Sequence, residues 1–170
     1  GGPPRRLTNH PPGPGDPPTA ADPPPHWSPC GDWILFETGR SGNNDLMLVS
    51  ADGKRTTALV DSIADESGAR WAPDGQRVAY VERSDEHFSG ALKVIEVDTA
   101  TGLPTQEARE LYRAPTDRGG GWQIDAPAWS PDSSTLAVVL QESGWNKIYL
   151  RKTVTLSILE AYFEKQARAT

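Results

Sequence analysis

The sequence predicts an all-β chain, a partial β-propeller of about three four-stranded antiparallel blades with a short C-terminal helix. Three observations predict it. A Trp-x-Pro turn occurs three times, at Trp27, Trp71 and Trp129. A run of β-forming residues follows each turn. The tryptophans stand 44 and 58 residues apart, and the shorter spacing lies in the range of propeller blades.

The chain opens on a Pro-rich segment, residues 1–26. Eleven of the sixteen prolines lie between Pro3 and Pro29. Within this segment Pro4-Arg5-Arg6-Leu7-Thr8 reads as the last strand of a preceding blade. Residues 11–25 read as an extended connector, with a ligand for a proline-recognising module as the alternative.

Three repeat units span residues 27–151, as 27–70, 71–128 and an incomplete 129–151. They align without gaps over ten residues: Trp27-Ser-Pro-Cys-Gly-Asp-Trp-Ile-Leu-Phe36, Trp71-Ala-Pro-Asp-Gly-Gln-Arg-Val-Ala-Tyr80 and Trp129-Ser-Pro-Asp-Ser-Ser-Thr-Leu-Ala-Val138. In each, the tryptophan ends a strand and anchors it in apolar surroundings. Pro29, Pro73 or Pro131 fixes φ at the start of the turn, and Asp74-Gly75 or Asp132 continues it. The following runs, Ile34 to Phe36, Val78 to Val81 and Leu136 to Leu140, are nearly all apolar, as expected for strands covered on both faces. Third strands follow at Leu46 to Val49, Leu92 to Val97 and Lys147 to Leu150, and weaker fourth strands at Thr56 to Val60 and Ala108 to Tyr112. The longer spacing calls for an insertion in the second unit, placed at residues 98–106 and in the Gly-rich stretch 113–121, both as rim loops. After Leu150 the pattern stops. Residues 152–170 read as an amphipathic helix, with Leu156, Leu159 and Phe163 at helical spacing, and the propeller is expected to be incomplete.

Composition excludes several classes. A net charge of −6 argues against a nucleic-acid or anionic-membrane surface. No apolar run is long enough for a membrane helix, and the N-terminus lacks the apolar core of a signal peptide. The expectation is a soluble chain whose compartment the sequence leaves open, with the cytoplasm slightly favoured. Cys30 is the single cysteine and has no internal partner.

The Trp-Ser-Pro-Asp-Gly pattern followed by an apolar strand resembles TolB-like propeller repeats. It also resembles the N-terminal propeller of prolyl oligopeptidase-family serine peptidases, including dipeptidyl-peptidase and acylaminoacyl-peptidase types. Pro4 to Pro11, Trp33 to Leu46 and Gly144-Trp145-Asn146-Lys147-Ile148-Tyr149-Leu150 look like the peptidase branch. Cys30, Ala72 and Ser133 depart from the pattern, standing where Asp, Ser and Gly are usual. The resemblance implies a propeller that restricts access to an active site and contacts the peptide. It implies a catalytic triad on a separate α/β-hydrolase domain, which would be the partner of this one. This sequence carries no Gly-x-Ser-x-Gly elbow, so no catalytic residue is assigned.

Each candidate site also has a plainer structural role. Trp27, Trp71 and Trp129 are expected in the core, and Trp33 partly exposed. Trp122 and Trp145 fall in loops, as rim contacts for a peptide or as packing over a neighbouring blade. His10, His26 and His87 have no motif near any serine that would make a triad. No cofactor or metal is expected, since the histidines and Cys30 lack zinc spacing and Asn43-Asn44-Asp45 lacks the calcium-loop pattern. Gly119-Gly120-Gly121 lacks the Gly-Lys-Ser/Thr ending of a phosphate loop. The leading function is a non-catalytic propeller portion of a prolyl oligopeptidase-like peptidase. The alternative is a TolB-like protein-interaction scaffold. Open blade edges would favour self-association.

Overall fold

The computed structural model describes residues 3–8, 23–39, 42–83, 90–114, 123–125, 127–142 and 145–153. Among them there is no helix, and twelve strands form three antiparallel sheets. The first sheet joins β1 (His26–Trp27), β2 (Trp33–Thr38), β3 (Asp45–Ser50) and β4 (Thr56–Val60) in sequence order. The second joins β5 (Asp65–Trp71), β6 (Arg77–Arg83), β7 (Gly90–Glu96) and β8 (Arg109–Arg113) in the same way. In the third, β9 (Gln123–Ile124) and β10 (Ala128–Trp129) both pair with β11 (Thr135–Glu142), which pairs with β12 (Trp145–Lys152). The expected meander of consecutive strands is present three times, and the fold is a partial β-propeller. Each sheet begins upstream of its tryptophan, so the sheets divide the chain before the repeat units 27–70, 71–128 and 129–151 do.

The turns justify the repeat. Ser28, Ala72 and Ser130 each donate their backbone N–H across the turn, to the carbonyls of Trp33, Arg77 and Thr135, all at 2.8 Å. Gly31, Gly75 and Ser133 occupy the left-handed position of the turn, with φ of 80°, 72° and 59°. Ser133 stands there without a glycine's freedom, and the turn keeps its shape.

Side chains alternate between two faces of each sheet. On the forward face of the first sheet, Trp33, Leu35, Leu46, Leu48 and Leu59 meet the back face of the second, with Trp71, Val78, Tyr80, Ile95 and Val97. On the forward face of the second, Ala79, Val81, Leu92 and Val94 meet Ile124, Leu136, Val138 and Leu140 on the back of the third, with Trp129 packed at the margin. The core is therefore two seams between neighbouring sheets.

This stacking corrects two expectations. The repeat tryptophans all point backward, toward the sheet before. Trp71 has the first sheet behind it and is 9 % exposed, while Trp27 has no sheet behind it among the described residues and is 59 % exposed. Trp129 is half-buried. Trp27 is thus not a core residue. Trp33, expected to be partly exposed, is fully buried, because it points forward into the first seam. Its indole N–H donates to the Thr99 carbonyl at 2.7 Å, and the Arg55 guanidinium sits 4.7 Å from the ring centre. The loop 98–106, expected on the rim, is there, and it closes over this ring.

Other expectations shift at the ends. Residues 3–8 join none of the three sheets. Leu7 instead lies over the back of the first sheet, beside Ile34, Phe36 and Val49. Strand β12 runs past Leu150 to Lys152, so residue 152 belongs to the strand and not to a helix. The helix expected beyond it lies outside the described residues, as does the Gly119–Gly121 stretch.

Candidate functional site

The three repeat turns lie side by side and form one rim. Pro29 packs against Gly75, with its ring carbons within 3.7–3.9 Å of where a Cβ on Gly75 would stand. The Asp74 N–H donates to Ser133 Oγ at 2.9 Å. Each turn thereby rests on the next, and Pro29, Asp74, Gly75 and Ser133 become contact points between sheets. Pro73, Pro131 and Asp132 stay exposed on this rim.

Within the third turn Asp132 accepts from Ser130 Oγ at 2.6 Å and from the Ser134 N–H at 3.0 Å. These bonds hold its carboxyl down at about 2, with the Ser130 hydroxyl contributing most. Asp52, in the β3–β4 turn, is likewise held at about 2, first by Ser50 and then by the Lys54 N–H. Both are turn-forming carboxylates, ionised at neutral pH.

Arg77 binds the second and third turns together. Its guanidinium donates to Asp74 Oδ2 at 2.5 Å, to the Ser133 carbonyl at 2.8 Å and to Thr153 Oγ1 at 3.2 Å. It also sits 5.1 Å from the centre of the Trp129 ring. The Trp129 indole N–H donates to the Arg70 carbonyl at 3.0 Å. Beside this node an open groove of about 570 Å³ is lined by Asp74, Gln76, Arg77, Glu96, Asp98 and Thr105, among others. The Asp98 carboxyl is held below the usual range, chiefly by the Ala100 N–H. Carboxylates outnumber cations in this lining, so the groove suits a positively charged or hydrogen-bond-donating segment.

A second polar cluster lies where the second sheet meets the first, away from this rim. Glu66 is fully buried. Its Oε1 accepts from Ser62 Oγ at 2.5 Å, while Oε2 has no hydrogen-bond partner among the described residues. Burial pushes its carboxyl up to about 7; Ser62 and Lys93 oppose the rise, and Asp45 and Glu82 add to it. Glu82 is ion-paired with Lys93 and lies 3.8 Å from Arg113. Asn43 donates to the carbonyls of Ser62 and Ala64, at 2.7 and 2.6 Å, tying the two loops around the cluster.

The aromatic rim contacts expected from sequence, Trp122 and Trp145, fall outside what the structure describes of side chains. Trp122 lies outside the described residues, and Trp145 is described only as the first backbone position of β12. His10 and His87 also lie outside the described residues. His26 is half-buried on β1, and burial, then Arg70, lowers its pKa. Cys30 is exposed, with its sulfur 3.3 Å from Ser28 Oγ. Among the described residues no group of three or more His, Cys, Asp or Glu could hold a metal ion.

Arg77 and Glu66 were not singled out in the sequence. Arg77 occupies the seventh position of its repeat, held by Trp33 and Thr135 in the other two. A charged residue directly before the apolar run Val78 to Val81 was the available signal. A carboxylate in the stretch Asp65-Glu66-Ser67 carries no such signal, because adjacent acids normally face water.

No family model matches the sequence. A Tol-Pal system protein TolB from Alcanivorax borkumensis is 30 % identical over 99 residues, which is 58 % of this chain and 20 % of that protein. The crystal structure of TolB from Acinetobacter baumannii superposes with a TM-score of 0.55 at 13 % identity, over 78 % of this chain and 30 % of that one. A puromycin hydrolase mutant structure superposes with a TM-score of 0.57 at 21 % identity, over 76 % of this chain and 21 % of that one. Acylaminoacyl peptidase structures are similar as well. At these structural identities the likeness is one of fold, shared with both TolB and peptidase propellers. The chain spans 38 % and 20 % of the lengths of two curated relatives it matches.

Proposed function

We propose that this chain is a non-catalytic part of the β-propeller of a prolyl oligopeptidase-like serine peptidase, where it gates or binds the peptide substrate. The rim carries the reading. Three turns locked together by Pro29–Gly75 and Asp74–Ser133 contacts present a rigid edge. Beside them the groove with Glu96 and Asp98 offers carboxylates to the amino groups of an incoming peptide. A rigid scaffold with a polar edge is what selective admission requires, since discrimination comes from preorganised contacts. Likeness in fold to puromycin hydrolase and acylaminoacyl peptidases supports the assignment. The chemistry, in this reading, belongs to a partner α/β-hydrolase domain.

A second reading, a TolB-like interaction scaffold, is favoured by the 30 % identity to a TolB. One experiment separates the two. The whole open reading frame of the source gene and this chain alone are each treated with a fluorophosphonate that labels active serines. Labelling of the longer product but not of this chain supports the peptidase reading. Labelling of neither turns the assignment to the scaffold, and labelling of this chain alone overturns its non-catalytic role.

A further inference from the structure

Residues 61–64 connect β4 to β5 and so join the first sheet to the second. Their largest apolar side chain, Ile63, is 98 % exposed, so apolar burial does little to fix the connection. Hydrogen bonds hold it instead. Asn43 donates to the carbonyls of Ser62 and Ala64, on either side of Ile63. The Ser62 hydroxyl accepts from the Ala64 N–H at 3.0 Å, so its single proton goes to Glu66 Oε1. The Glu66 N–H itself donates to the Asn44 carbonyl at 2.8 Å. The connection therefore hangs from two side chains, Asn43 and Glu66, and the second is titratable.

Charged groups surround Glu66 from several strands. Asp45 on β3, Tyr80 and Glu82 on β6 and Lys93 on β7 all act on it. Glu82 lies directly across from it in the register of β5 and β6. Lys93 is ion-paired with Glu82, and Arg113 on β8 bonds Glu110 at 2.5 Å and lies 3.8 Å from Glu82. On β2, Glu37 accepts from the Ala69 N–H at 3.2 Å, and on β1 His26 lies near Arg70, further along β5. The cations beside Glu66 are thus already matched by Glu82 and Glu110, while Asp45 and Glu82 repel a charge on it. With its proton, Glu66 is neutral and the seam can stay shut around it. Without the proton, a carboxylate with one unpartnered oxygen is enclosed beside two others, which is costly unless water reaches it. The packed core of Ala69, Trp71 and Tyr80 closes the way along the seam, so water must come past the connection 61–64.

We propose that Glu66 is a proton-operated latch for the connection 61–64. Protonated, it keeps the connection seated on the end of the first seam. Ionised, it favours an open state in which water reaches the carboxylate and the connection swings outward with Ile63. Burial holds the Glu66 carboxyl up at about 7, so the device changes state near neutral pH. Closed below that value and loosened above it, this edge of the molecule has a shape that follows pH, while the repeat turns keep their own contacts in both states. Both sheets of this seam are four-stranded, and the latch works the same under either reading of the function.

The test is hydrogen exchange on the 170-residue chain, read at the Ala64 and Glu66 amides with the intrinsic pH dependence of exchange divided out. Protection at both should fall about 30-fold between about pH 5.5 and about pH 8.5, the change produced by a carboxyl that titrates at about 7 when closed and 4.5 when open. Amides of the β2–β3 ladder should stay better protected at every pH, which marks the opening as local. The loss should level off where the Glu66 carboxyl carbon, followed by NMR in the same chain, finishes its titration. Glu66→Gln cannot ionise but can still accept from Ser62, and its protection should stay flat across the range. Should this variant not fold, as circular dichroism would show, the NMR titration of the unmodified chain decides. The proposal is overturned if the unmodified chain shows no fall, or if the two amides exchange no faster than the β2–β3 ladder. A fall that continues unchanged past the end of the Glu66 titration, or that Glu66→Gln reproduces, also overturns it.

Discussion

Gly102 lies so close to the indole of Trp33 that a Cβ built on it would stand 2.6 Å from Cη2 of the ring. The residue has a φ of 76°, so a side chain there meets both backbone strain and a rigid aromatic wall. Trp33 has no room to yield, since the first seam encloses it. Gly102→Ala should therefore cost about 2–4 kcal/mol in urea unfolding, the sum of overpacking and left-handed strain. Gly31 is the control: it has a φ of 80° with nothing near its missing Cβ, and Gly31→Ala should cost about 1 kcal/mol. Equal costs would show that the Gly102–Trp33 contact contributes nothing.

Trp33 and Trp27 should respond in opposite measure to truncation. Trp33→Ala removes a fully buried ring, its bond to Thr99 and its contact with Arg55, and should cost about 3–5 kcal/mol. Trp27→Ala removes a largely solvated ring and should cost less than about 1 kcal/mol, measured at concentrations where the chain is monomeric. The reverse order would contradict the direction in which the sheets stack.

How far the sequence revealed this fold is clearest at these two residues. The Trp-x-Pro repeats disclosed the sheets, the turns and the strand order, because turn chemistry and apolar runs are local properties. They did not disclose which side of each sheet has a neighbour. Trp27, Trp71 and Trp129 are equivalent in sequence, yet their exposure follows the presence of a preceding sheet. Trp33 follows a polar turn, and its burial depends on Thr99 and Gly102, more than sixty residues away. At the rim, the turn residues were legible. The Arg77 node was not, since its partners Ser133 and Thr153 come from another sheet.

Stability should depend on Glu66 in the alkaline direction. Its carboxyl titrates at about 7 in the folded protein, above the 4.5 of an unburied glutamate. The folded state therefore holds its proton more tightly than the unfolded chain. That contribution is whole below 4.5 and is lost as pH rises through about 7, where ionisation places a charge beside Asp45 and Glu82. Thermal melts should show a larger fall in melting temperature between about pH 5.5 and about pH 8.5 for the unmodified chain than for Glu66→Gln. The glutamine keeps an uncharged group of similar size at that place. Parallel pH profiles for the two proteins would exclude Glu66 as the cause.

Arg77→Lys should loosen the junction of the second and third sheets. An ammonium cannot reach Asp74, the Ser133 carbonyl and Thr153 together, nor lie flat over Trp129. The expected loss is about 1–3 kcal/mol. Hydrogen exchange should accelerate first in β10 to β12, ahead of the first sheet, and uniform acceleration would argue against a local role.

The backward reach of the tryptophans also gives the molecule a mechanical polarity. Each sheet fills a socket in its predecessor, through Trp71 at the first seam and Trp129 at the second. Under tension the third sheet can leave by withdrawing its own anchor, after which the second sheet keeps Trp71 seated. Removing the first sheet instead breaks the seam in which Trp33 and Trp71 are both buried, whereas Trp129 at the other seam is only half-buried. A pulling force should thus peel the stack from its C-terminal side, one sheet at a time, at lower load than from its N-terminal side.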